Sequence, residues 1–216
     1  IDIGAYEGGV CLGAASSRLY VDSSVSGGNG SGDSWQNAMA GLKLALNVAK
    51  SCSGINEIWV AKGTYKPTST SDRNRYFAMV NGVSIYVGLQ GNETALNQRN
   101  HRKHITTLSG NIDAAGTADS YNIIRNIDVN NTALLDGFTI TGANNESATS
   151  GAGVYNSQSS PIIKNCVIKN NNAGNAAGGG MYNYNHSSPQ ELNCVFANNT
   201  ATGGGGMFNA SNSSPV

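Results

Sequence analysis

The sequence predicts an all-β protein: a right-handed parallel β-helix, a solenoid of about 27 residues per coil, with an N-terminal capping α-helix. Three observations carry that expectation. The phrases GAGVYN, GGGMYN and GGGMFN place Val154, Met181 and Met207 at intervals of 27 and 26 residues. KNCVIKNN and LNCVFANN place Cys166 and Cys194 28 apart, and Ser-Pro pairs at Pro161, Pro189 and Pro215 keep the same beat. The chain is also rich in Gly (28) and Asn (29), the residues that reach positive φ at least cost. Between them lie short apolar and β-branched runs suited to strands. A leucine-rich repeat lacks its Leu/Asn frame here, and the Gly and Asn density after residue 140 forbids helical repeats.

The elements follow in order. Residues 1–17 read as a tail or linker from a preceding domain, and 18–216 as the β-helix domain. SWQNAMAGLKLALNVAK, 34–50, predicts a helix with Trp35, Met39, Leu42, Leu46 and Ala49 along one face and Asp33 or Ser34 as N-cap. Its place is over the open end of the solenoid, where apolar core and strand edges need cover. Irregular coils occupy 57–130, with strands in EIWVAKGTY, GVSIYVGLQG, HITTLSGNI and YNIIRNIDV. Regular repeats occupy 132–216, the last coil reading as truncated. In them Gly137 stands where Asn165 and Asn193 stand later, at a bend, and Phe138 heads a column continued by Cys166 and Cys194. One position resists: Glu191 falls where Ile163 stands, so either the register shifts by one or the alignment of that coil is off.

Composition narrows function. Thirteen basic and thirteen acidic residues give zero formal net charge, which argues against nucleic-acid partners. No apolar run approaches a membrane span, so no insertion by this segment is expected. The four cysteines follow no CxxC pattern. Cys166 and Cys194, stacked about 4.8 Å apart, fit a ladder of thiols within reach of a disulfide. Cys52 paired with Cys11 would tie the linker to the domain in an oxidising compartment.

The run YVDSSVSGGNGSGDSWQNAMAGLKLAL, with EIWVAKGTYKPT, NGVSIYVGLQGNET, LLDGFTITGAN and GGGMYN, resembles the β-helix repeat domains of large secreted bacterial surface proteins. GGGM and FANN are also similar to tetrapeptides of polymorphic outer-membrane adhesins, and the coil pattern to pectate-lyase-like repeats. The resemblance covers about residue 18 to the end. It implies a non-enzymatic structural or adhesive module at the bacterial cell surface, stacking with like domains. The alternative is a polysaccharide-binding or polysaccharide-degrading domain, a lyase or glycoside hydrolase.

Candidate chemistry is sparse. Asp113, Asp128 and Asp136 lie within about one coil of one another and are the candidate acids for sugar cleavage, with turn formation as the plain alternative. Tyr155, Tyr182, Tyr184 and Phe208 recur on a face suited to a polar-aromatic contact with a polysaccharide. Asp22, Asn29 and Asp33 supply oxygens in a Gly-rich loop, a candidate calcium site, or else a connector. No other cofactor is expected. Asn183 and Asn209 read as structural amides, stacked from coil to coil.

Overall fold

In the regular coils the strands are short because a residue with positive φ turns the chain after a few steps. The computed structural model describes residues 17–113, 118–146 and 150–216. The opening winding holds β1 (Arg18–Val21) and the helix α1 (Leu42–Ser51). Then come β2 (Glu57–Ala61), β3 (Gly63–Tyr65), β4 (Ser84–Leu89), β5 (Thr106–Ser109) and β6 (Ile124–Ile127). The regular windings are β7 (Leu134–Asp136), β8 (Thr139–Thr141) and β9 (Val154–Ser157), then β10 (Ile162–Lys164), β11 (Val167–Lys169) and β12 (Met181–Tyr184). The last is β13 (Gln190–Leu192), β14 (Val195–Ala197) and β15 (Met207–Asn209).

Every strand pairs in parallel with its equivalent one winding away. Sheet A runs β1-β2-β4-β7-β10-β13, sheet B β3-β5-β8-β11-β14 and sheet C β6-β9-β12-β15. The result is a parallel β-solenoid of about five turns and about 28 residues per coil, one more than the sequence spacing suggested. The bend from sheet A to sheet B is made by Gly137 (φ 99°), Asn165 (φ 53°) and Asn193 (φ 55°), and the bend leaving sheet B by Gly142, Asn170 and Asn198, also left-handed. At Gly153 a Cβ would stand 2.5 Å from the carbonyl oxygen of Gly180, so backbone packs directly on backbone there.

The core consists of in-register columns. Ile58, Ile85, Leu135 and Ile163 form one, all at most 1% exposed. Phe138, Cys166 and Cys194 form another, in line as expected: the Val167 amide donates to the Phe138 carbonyl at 2.8 Å and the Val195 amide to that of Cys166 at 2.9 Å. A third is polar. Asn126, Asn156 and Asn183 point inward at 0% exposure, and each donates its amide to the next, ending on Asn209, at 2.9, 2.8 and 2.9 Å. Burying an amide is tolerable only when its donors and acceptors are satisfied, and the one-coil offset satisfies them with the same residue type.

The helix differs from expectation. It begins at Leu42, with Gly41 as N-cap and no side-chain cap. Asp33 and Ser34 instead shape a turn: Asp33 accepts from Ser34 and from the Asn37 side chain, and Ser34 accepts the Asn37 amide. Strand pairing wins over helix in 35–40 because the Met39 amide donates to Tyr20 and the Met39 carbonyl accepts from Asp22, covering the outer edge of β1. Leu42, Ala45, Leu46, Val48 and Ala49 join the same buried cluster as Leu19 and Val21, so α1 packs its apolar face on the core beside β1. The linker 1–17, Ser17 excepted, lies outside the described residues, and Cys11 with it; Cys52 is buried and disulfide-bonded.

Two outcomes follow. Asn156→Ala strands a buried donor on Asn126 and an acceptor on Asn183, and is expected to lower unfolding free energy by about 2–5 kcal/mol in a denaturant titration. Alkylation of unfolded, unreduced protein is expected to label Cys166 and Cys194 and to spare Cys52; a label on Cys52 contradicts the structure.

Candidate functional site

Strands of sheet C alternate strictly. Ile124, Val154 and Met181 point inward with the amide ladder, so the residues between them face outward. The outward set is Arg125, Tyr155, Tyr182 and Phe208, in register. Tyr155 and Tyr182 stack with centroids 5.7 Å apart and planes 14° from parallel, and Tyr182 and Phe208 at 5.7 Å and 2°. The Arg125 guanidinium continues the row, 4.9 Å from the Tyr155 centroid and 5.9 Å from that of Tyr76. Tyr184, 40% exposed, leans on Tyr182 at 6.2 Å.

The rings therefore spend their faces on one another and present edges and hydroxyls to solvent. Beside them a cleft of about 250 Å³ is walled by Asn122, Arg125, Ser150, Tyr155, Tyr182 and Tyr184. The four aromatic residues singled out from the sequence are thus brought together. Arg125 was missed, although a signal existed: Arg125-Asn126 occupies the place of Tyr155-Asn156, Tyr182-Asn183 and Phe208-Asn209, and the shared Asn marks the column.

The three candidate acids are not brought together. Asp136 ends a sheet A strand, 2% exposed, with Arg99 on one oxygen at 2.6 Å and Asn165 on the other at 2.7 Å. Asn165 in turn accepts from Asn193 at 2.7 Å, so a second amide ladder is anchored on an ion pair. Asp128 is exposed, at the bend after β6 (φ 57°). Asp113 follows β5 at the corner leading to sheet C, its carbonyl taking Lys66 at 3.5 Å. Each of the proposed calcium ligands has local partners: Asp22 accepts from Ser24, Asn29 from the Ser31 amide, and Asp33 from Ser34 and Asn37. Among the described residues no three His, Cys, Asp or Glu side chains converge as metal ligands.

The anomalous Glu191 is explained by register. It opposes Ile163 with no shift, so the alignment holds and a carboxyl enters a core column. Burial, and secondarily the nearby Cys194, push its pKa up to about 8, and its Oε1 has no hydrogen-bond partner. Burial also raises the Cys166 thiol well above its ordinary value, while the hydrogen bond that Cys166 donates lowers Cys194.

Among the described residues no helix is long and apolar enough to cross a membrane. Compared with protein-family models, characterised proteins and solved structures, the chain matches none of them. The fold and the outward row define a class, the parallel β-solenoid with a polar-aromatic face.

The Glu191 environment sets a pH dependence. Its folded pKa lies above the unfolded value of 4.5, so the folded state holds a proton that the unfolded chain releases, and stability falls as pH rises from about 4.5 through about 8. Glu191→Leu is expected to raise the thermal midpoint, by more at about pH 8 than at about pH 5; an equal rise at both contradicts the buried carboxyl.

Proposed function

We propose that this chain is a structural and adhesive module of a large extracellular bacterial surface protein, and that sheet C carries its contact face. The observation that supports this reading is the continuous outward row from Arg125 to Phe208 beside the cleft at Tyr184. Inward positions are committed to holding one coil on the next, which leaves the outer face as the place for recognition. Ring edges, phenol hydroxyls and the Ser150 hydroxyl suit a ligand dense in hydroxyl groups, so a surface polysaccharide is the partner class that fits best. The disulfide at Cys52 accords with an oxidising compartment, and the sequence resemblance points the same way.

In this reading the module also stacks with like domains of its parent. The closed end is the N-terminal one, since Gly32 and Met39 already occupy the backbone edge of β1. A sugar-cleaving reading has less support, because its three acids stand at separate corners of the coil and both oxygens of Asp136 are engaged.

Affinity electrophoresis through gels containing different polysaccharides tests the proposal. The protein is expected to be retarded by at least one of them, and Tyr184→Ala to remove most of that retardation while changing the unfolding midpoint little, because the ring is 40% exposed. Free migration in every gel, or full retardation of the variant, counts against the reading.

A further inference from the structure

A second cleft, about 540 Å³, lies between α1 and the far side of β6, and Arg125 lines both it and the aromatic cleft. Its cations are Lys43 and Lys50 from α1 and Arg125 from β6, with Tyr76 between them. The Lys43 ammonium donates to the Tyr76 carbonyl at 2.5 Å and lies 5.1 Å from the Tyr76 centroid, which fixes it against the wall. Arg125 is clamped between two rings, and its Nε is buried without a hydrogen-bond partner. Among the described residues no ion pair engages this guanidinium, and an oxyanion is the group that would complete it.

The charge balance points the same way. Asp128 is the one acid on the wall, and among the described residues no ion pair joins it to these cations. The positive groups face one another instead: burial first, and then Arg75 and Lys50, lower the Lys43 pKa. Like charges gathered in a neutral chain, around an unpartnered donor, form a site whose complement is missing.

We infer that the cleft between α1 and β6 seats an oxyanion, a carboxylate or sulfate ester, carried by the sugar chain that contacts the aromatic cleft. This rests on the reading of sheet C as the contact face, and adds that the ligand is acidic. Arg125 takes the oxyanion through its guanidinium, Lys50 supplies charge at the rim, and Lys43 holds Tyr76 in place. No covalent step is involved.

The test uses three forms of one backbone: dextran, carboxymethyl dextran and dextran sulfate, as mobile ligands over the immobilised full chain at moderate salt. One or both charged forms are expected to bind about tenfold more tightly than dextran, and comparison of the two separates carboxylate from sulfate ester. Arg125→Gln and Lys50→Gln are each expected to lose most of that preference. Lys50 is exposed near the end of α1, so its variant keeps the test valid should Arg125→Gln fold poorly. Arg102→Gln, an exposed loop cation outside both clefts, is expected to change nothing. Equal binding of all three forms, or equal losses at Arg102 and Arg125, overturns the anion site while leaving the sheet C reading intact. Retention of every form unchanged by Tyr184→Ala overturns the sheet C reading itself, and binding of no form overturns the anion site.

Discussion

Every part of this molecule depends on like side chains meeting one strand spacing apart. Parallel strands in a solenoid repeat at about 4.8 Å, so any group that points inward must be complementary to the residue one coil away, most often a copy of itself. Aliphatic chains satisfy this by contact. Carboxamides satisfy it because each carries both a donor and an acceptor, which is why Asn126, Asn156, Asn183 and Asn209 can run through a dry interior as a chain of hydrogen bonds. Ser does the same at the corner that follows: the Ser159 hydroxyl accepts the Val129 amide, that of Ser187 accepts the Ser159 amide, and that of Ser213 accepts the Ser187 amide. A carboxylate cannot, since it offers only acceptors, and Glu191 under Ile163 shows the consequence in its raised pKa and unpartnered oxygen.

The same rule divides the chain into a regular part and a part with chemistry. From Leu134 onward, the coils are close copies, and beyond Glu146 the charged residues are Lys164, Lys169 and Glu191. The earlier coils depart from the repeat through long loops, and those loops carry Arg73, Tyr76 and Arg99. Arg73 donates to the carbonyls of Asp119 and Asn144 while covering the Tyr121 ring at 4.3 Å, fixing its loop to a later coil. Arg99 does so through Asp136. Charge therefore collects where the repeat is broken, because a side chain free of the stacking rule can be of any type.

What could be read from the sequence follows that division. Gly137, Asn165 and Asn193 declared a bend because nothing but positive φ explains Gly and Asn alternating at one position, and Phe138, Cys166 and Cys194 declared a column by spacing alone. The helix was drawn too long because Trp35 and Met39 have helical spacing from Leu42, while the force that placed them is tertiary. Met39 pairs with β1, and the Trp35 indole donates to the Glu93 carbonyl at 2.9 Å beside the Tyr20 ring. Periodicity cannot register a partner that far away in the chain. The outward aromatic set was legible because it lies in the copied coils, whereas Lys43 and Tyr76 were not, since loop length rather than spacing carries them to Arg125.

Arg125 stands where these two halves meet. By register it is the first member of the outward column, yet it is the one position there without an aromatic ring. A ring in its place would extend the stack toward Tyr76 and leave the cleft beside α1 with Lys43 and Lys50 alone. A guanidinium keeps the stacking, because its planar cation rests on the Tyr155 face as a ring would, and it adds donors that the neighbouring backbone does not use. A Lys there would give charge without the plane, and a Tyr the plane without the charge. The residue type at this one site is thus what joins a column built for stability to the cationic cleft beside α1.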